Sequence, residues 1–185
     1  AMTSAPLALP LLKIAASLWH VTAFGMGLLF VWQAYSALFG WRPYDPAWTP
    51  ILRRADLHLW LSGLAIIAIG IAMAGVEKYL SNPKLWTKVL VVTVWTAATL
   101  LMRARSGLWF RDGKRVRLAV LAGLSLACWI YGAVLGVARE LAYGVVPFET
   151  LALGFLLTAS TAILASLILE EGRRAGARAQ AAGKN

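Results

Sequence analysis

Apolar residues run along the chain in five long blocks, at about 11–38, 55–76, 84–104, 117–138 and 148–169, each free of acidic residues except near its ends. A helix needs roughly 20 apolar residues to cross a bilayer, and every block meets that length. The hydrophobicity is continuous rather than alternating. That excludes the strand pattern of an outer-membrane barrel, and a backbone in lipid must satisfy its polar groups internally. The pattern predicts an all-α polytopic membrane protein, a bundle of five transmembrane helices over 11–169. It leaves a short outer segment at 1–10 and a basic cytoplasmic tail at 170–185.

Punctuation agrees with these limits. Pro10, Pro50, Asn82-Pro83 and Pro147 stand just before or within first turns, where a missing amide hydrogen is harmless. The first block is too long for a signal-peptide core, has only Lys13 as a basic residue ahead of its centre and lacks a small-residue cleavage site, so it is expected to remain as a helix. Ala1 before Met2 reads as the remnant of an expression tag. There is no internal repeat, and no soluble domain fits between the blocks.

Composition sharpens the class: 185 residues are 60% hydrophobic and 14% charged, with a mean hydropathy of +0.70. The net charge of +10 raises the question of nucleic acid, and the placement of the charges answers it. They stand at helix ends. With five spans, one side receives Lys13, Lys78, Lys84, Lys88 and Arg139. The other receives Arg42, Arg53, Arg54, the basic run Arg103 to Arg117, and Arg173, Arg174, Arg178 and Lys184. The excess of positive charge marks the second side as cytoplasmic, which predicts a bacterial inner-membrane protein with its N-terminus outside and C-terminus inside. Topology and attraction to anionic lipid account for the basic loop and tail. No nucleic-acid motif is present, and Trp41, Trp48 and Trp109 suit an interfacial belt.

Chemistry is sparse. Cys128 is the single cysteine, which excludes a disulfide or a thiol relay, and it is expected to pack as a small apolar residue. There is no HExxH, no Ser/His/Asp order and no phosphate-cradling glycine loop. His20 therefore stands out, because a titratable, metal-competent side chain inside an apolar run is a functional-site hypothesis by default. Ala16, Ala23 and Gly27 share its helix face, and such small residues mark helix contact. From the predicted limits, His20 lies about 7 Å to the outer side of the centre of its helix and His58 about 11 Å to the inner side of the next. That separation of about 18 Å argues against a bis-histidine haem, and His58, beside Arg53, Arg54 and Asp56, reads as a helix-start residue at the interface.

The depth of His20 falls near Gly70, Leu90, Gly132 and Gly154 on the other helices. Either backbones approach closely there, with Gly132 and Gly136 as an ordinary contact motif, or a flat cofactor occupies a slot with Trp95 and Trp129 as walls. Lys88, one turn inside the boundary, is a candidate catalytic or cofactor-site residue that could pair with Glu77 or a haem propionate. Snorkelling to the headgroups explains it equally well. Glu77, Glu140 and Glu149, with Tyr79, Arg139 and Tyr143, are the outer-face candidates. Met26 and Met73 lie at other depths than His20 and make a poor copper pair.

The residues His20, Leu61-Ser62-Gly63 through Gly70, and Leu85-Trp86-Thr87-Lys88 resemble the copper-resistance protein D and membrane protoporphyrinogen oxidase group over about residues 11–104. Where that group has an aromatic-glycine-glycine stretch, this chain has Gly25-Met26-Gly27. The resemblance implies His20 as an axial haem or metal ligand, Lys88 as a haem-site or catalytic lysine, and haem b in preference to copper. Three functions follow as expectations: haem or metal binding through His20 for electron transfer or porphyrin oxidation, with a membrane oxidoreductase as the enzyme class; a cofactor-free accessory subunit of a homo-oligomer or larger membrane complex; and a small proton-coupled transporter.

Overall fold

The computed structural model describes residues 7–43, 47–138, 141 and 144–183, with the side chains of Trp48 and Thr49 left aside. Among the described residues there are six helices and no strands: α1 Ala8–Leu38, α2 Trp48–Ala74, α3 Val76–Leu80, α4 Pro83–Arg111, α5 Arg115–Val137 and α6 Phe148–Ala182. Five are long and apolar enough to cross a membrane, which is the all-helical, five-span fold that the hydrophobic pattern predicts. The chain is an integral membrane protein by these helices.

The helices outrun their apolar blocks. α2 begins at Trp48 rather than near 55, because Pro50 in its first turn needs no amide partner and Arg53 and Arg54 are good helix formers. α6 continues through the predicted tail to Ala182, carried by Glu, Arg and Ala residues of high helix propensity. α4 starts where Asn82 accepts the Lys84 amide at 3.1 Å, with Pro83 as first helical residue. The sequence pattern did not distinguish α3. Gly75, at φ 83°, separates it from α2 in a conformation that favours glycine.

The chain forms two compact units, one comprising residues 1–34 and 44–81 and the other residues 35–43 and 82–185. In the first, Ala16, Ala23, Gly27 and Phe30 form the buried stripe of α1 with His20 half-buried among them, and α2 buries Ala55, Asp56, Ser62 and Gly70. Little of α2 is covered otherwise: 11% of its most apolar stretch is buried inside the chain, against 56% for α5. The exposed remainder of α2 is largely apolar, with Leu57, Trp60, Leu61 and Leu64 among its exposed side chains.

The second unit is built on α5, which packs against both α4 and α6. Buried residues of α6 recur as Leu151, Phe155, Ala159, Ala162, Ser166 and Glu170, a single stripe at helical spacing. Opposite them stand Ala119, Gly123 and Ala127 of α5. A Cβ on Gly123 would lie 2.6 Å from the Ile163 Cα and 2.7 Å from the Ala162 carbonyl oxygen, so the two backbones meet there. In lipid, where apolar burial gives no net drive between helices, such close van der Waals approach is what holds them. Trp95 and Trp129 pack edge to face, their centroids 5.7 Å apart at 82°, and close the α4–α5 side of this core.

Gly123→Leu is expected to destabilise the second unit by about 3 kcal/mol through backbone displacement. Gly136→Leu, where a Cβ meets nothing within 4 Å, should leave the unfolding midpoint unchanged. Thermal or denaturant unfolding of the detergent-purified variants measures both.

Candidate functional site

His20 faces α2. Its Nδ1 lies 2.9 Å from the Ser62 Oγ, and the Ser62 hydroxyl donates in turn to the Leu59 carbonyl at 3.1 Å. A hydroxyl has one hydrogen to give. With that hydrogen on Leu59, Ser62 accepts from His20, an arrangement that matches the neutral tautomer protonated on Nδ1. The lone pair is then on Nε2, the nitrogen with which a histidine of this tautomer binds a metal or takes a proton. A Cβ on Gly63 would sit 3.6 Å from the His20 Cε1, so the ring lies in contact with α2. Ser62 is fully buried.

This arrangement overturns the separation of the two histidines. Ser62 is one turn from His58 along α2, and the His58 ring packs edge-on against Trp19 at 6.0 Å. His20 and His58 are therefore in neighbouring layers, about 6 Å apart along the helix axis rather than about 18 Å. Most of the difference comes from the extra turns at the start of α2, which move its centre toward His58. His58 is also no helix-start residue: it is exposed and three turns inside α2.

The glycines at the depth of His20 divide. A Cβ on Gly70 would collide with the Tyr79 ring, and one on Gly154 would lie 2.8 Å from the Tyr131 hydroxyl. Tyrosine side chains thus fill the space beside both. Tyr131 also donates to the Leu151 carbonyl at 2.6 Å and packs against Phe155. Gly132 is half-buried on α5, and Gly136 is exposed. Trp95 and Trp129 stack on one another as core, and Cys128 is buried without a disulfide.

Lys88 is on α4, in the second unit, with its side chain exposed. The lysine of α4 that turns inward is Lys84, 7% exposed, whose Nζ donates to the Ala138 carbonyl at the end of α5. Its neighbour four residues on is more conspicuous in the sequence only because it stands deeper in the apolar block. Glu77 and Glu149 are exposed in the first turns of α3 and α6. Arg139, Glu140 and Tyr143 lie outside the described residues. Met26 and Met73 are exposed, at 44% and 43%. Among the described residues no three His, Cys, Asp or Glu side chains gather as a metal cluster.

A second polar cluster was not foreseen. Glu170, 1% exposed, receives Arg173 at 2.8 Å and Arg174 at 3.0 Å, with Arg115 of α5 at 3.6 Å. Arg115 also donates to the Leu38 carbonyl at the end of α1 and covers the Phe110 ring at 4.5 Å. The signal was present as Glu170-x-x-Arg173-Arg174, spacings of three and four that put carboxylate and guanidiniums on one helix face. The apolar pattern alone places it in the basic tail at 170–185.

Compared with protein-family models, curated proteins and solved structures, the chain matches none of them.

Removing the buried carboxylate leaves three cations facing one another. Glu170→Ala is expected to cost about 3 kcal/mol of unfolding free energy, whereas Lys114→Ala, whose pair with Asp112 is exposed on both sides, should cost under about 1 kcal/mol. Circular dichroism through a denaturant titration gives both values.

Proposed function

We propose that this integral membrane protein binds a b-type haem or a metal ion through His20 Nε2. The observation that supports this reading is the Ser62 hydroxyl, which is committed to Leu59 and so fixes His20 in the tautomer whose lone pair is on Nε2. A ligating histidine characteristically donates its other ring N–H to a fixed acceptor, which orients the ring and raises its basicity. The residues present fit an axial ligand in this respect. A haem so held supplies one-electron chemistry, in electron transfer or porphyrin oxidation. His20 would bind and Ser62 would orient it. On this reading the protein belongs in a bacterial inner membrane, with the C-terminal half of α6 on the cytoplasmic side.

The filling of the Gly70 and Gly154 positions by Tyr79 and Tyr131 favours a second reading. In it the glycines serve packing alone, and the protein is a cofactor-free accessory subunit whose exposed apolar helix faces meet a second copy or a larger complex.

A visible spectrum and a metal analysis of the detergent-purified protein separate the two. The first reading predicts a Soret band or bound metal that is lost in His20→Ala and held roughly 10- to 100-fold more weakly in Ser62→Ala. A colourless, metal-free protein prepared under cofactor-retaining conditions sinks it. The second predicts that His20→Ala leaves co-purification with partners intact.

A further inference from the structure

The end of α1, the start of α5 and the polar continuation of α6 meet at Glu170, and their cations outnumber the carboxylate. We infer that this corner, formed by Arg115, Arg173 and Arg174, binds the phosphate headgroup of an anionic phospholipid. The inference does not rest on the reading of His20.

Charge is the first reason. Three guanidiniums share Glu170, and the nearby acids bring no surplus, because Asp112 pairs with Lys114 while Glu171 pairs with Arg174 and Arg178. The cluster retains positive charge at the boundary of an apolar run, where a low dielectric makes a counter-anion worth most.

Preorganisation is the second. Arg173 places its Nε and one terminal nitrogen on Glu170, and Arg174 places its Nε there. Arg115 is held by the Leu38 carbonyl and the Phe110 face. A guanidinium has five N–H donors, so each retains others. The three side chains are 19–32% exposed, so donors fixed in place reach the surface. Planar forks held in this way suit the oxygens of a phosphodiester.

The start of α5 adds to the same corner. α5 has no side-chain cap and no acidic residue in its first turn, so no side chain of that turn offsets its positive dipole end.

Depth and surroundings favour a lipid over a free anion. Glu170 directly follows the apolar run that ends Ile168-Leu169, and Ile168, Leu164 and Val116 are exposed at 71%, 60% and 42%. The arginines therefore stand at the level of a headgroup phosphate, with exposed apolar side chains for acyl chains on the membrane side of them.

The test uses the full chain in neutral detergent, with phosphatidylglycerol, phosphatidylcholine and inorganic phosphate as probes, read by thermal unfolding and by native mass spectrometry. Phosphatidylglycerol is expected to raise the unfolding midpoint saturably by several degrees and to remain bound as a discrete adduct, and phosphatidylcholine to do neither. Arg173→Gln and Arg174→Gln should each weaken phosphatidylglycerol binding roughly tenfold, and Lys114→Gln should not. Equal retention of the two lipids, or undiminished binding in both arginine variants, overturns the site. Full reproduction of the effect by inorganic phosphate overturns the lipid as its occupant. Should the variants fail to fold, competition between the two lipids on the wild-type chain decides.

Discussion

A bilayer interior offers no water to a polar atom, so each such atom must be satisfied by the chain itself. Much of the structure follows from this constraint. Threonines within the spans turn back on their own helices: Thr87 donates to the Pro83 carbonyl, Thr93 to Val89, Thr96 to Val92, Thr158 to Gly154 and Thr161 to Leu157. Helix ends, whose last carbonyls have no intrahelical partner, draw side chains from neighbours. Lys84 meets the end of α5 and Arg115 the end of α1. These long cationic side chains tie the start of one helix to the end of another while neutralising the negative pole of its dipole.

The same constraint gives His20 its chemical identity. A serine elsewhere on α2 would have bonded back to its helix with no further consequence. Ser62 does bond back, to Leu59, and by doing so becomes an acceptor toward α1. The tautomer that suits this arrangement is thus set by a backbone carbonyl two hydrogen bonds away. Ala16, Ala23 and Gly27 share the buried face of α1 with the ring.

The five spans were legible because continuous apolar runs of about 20 residues have few other physical explanations. The buried stripe of α1 was legible for a similar reason, since Ala16, Ala23 and Gly27 recur at helical spacing. Depth was not legible. It depends on where each helix starts, and Pro50, Arg53 and Arg54 in the first turns of α2 cut them off from its apolar block, so the distance between His20 and His58 inherited that error. The choice between Lys84 and Lys88 also escaped, because a lysine's direction depends on which carbonyl lies within reach, and the Ala138 carbonyl is 54 residues away in sequence. Glu170 was overlooked because it stands just beyond the last apolar residue, where a charge ordinarily means solvent. Gly123, flanked by other small residues, gave no more signal than Gly136, and only the packing of α6 tells them apart.

α6 runs unbroken for 35 residues, about 52 Å, whereas its apolar part from Leu151 to Leu169 covers about 28 Å and a hydrocarbon core about 30 Å. Glu170 and its three arginines therefore act as a depth gauge, fixing how far the helix can sink. In a thinner membrane α6 must answer by tilting, because sliding inward would carry guanidiniums into hydrocarbon. Tilt of α6 would be handed to α5 through the backbone contact at Gly123, which has no side chain to absorb it. Bilayer thickness thereby becomes a mechanical input to the packing of the second unit.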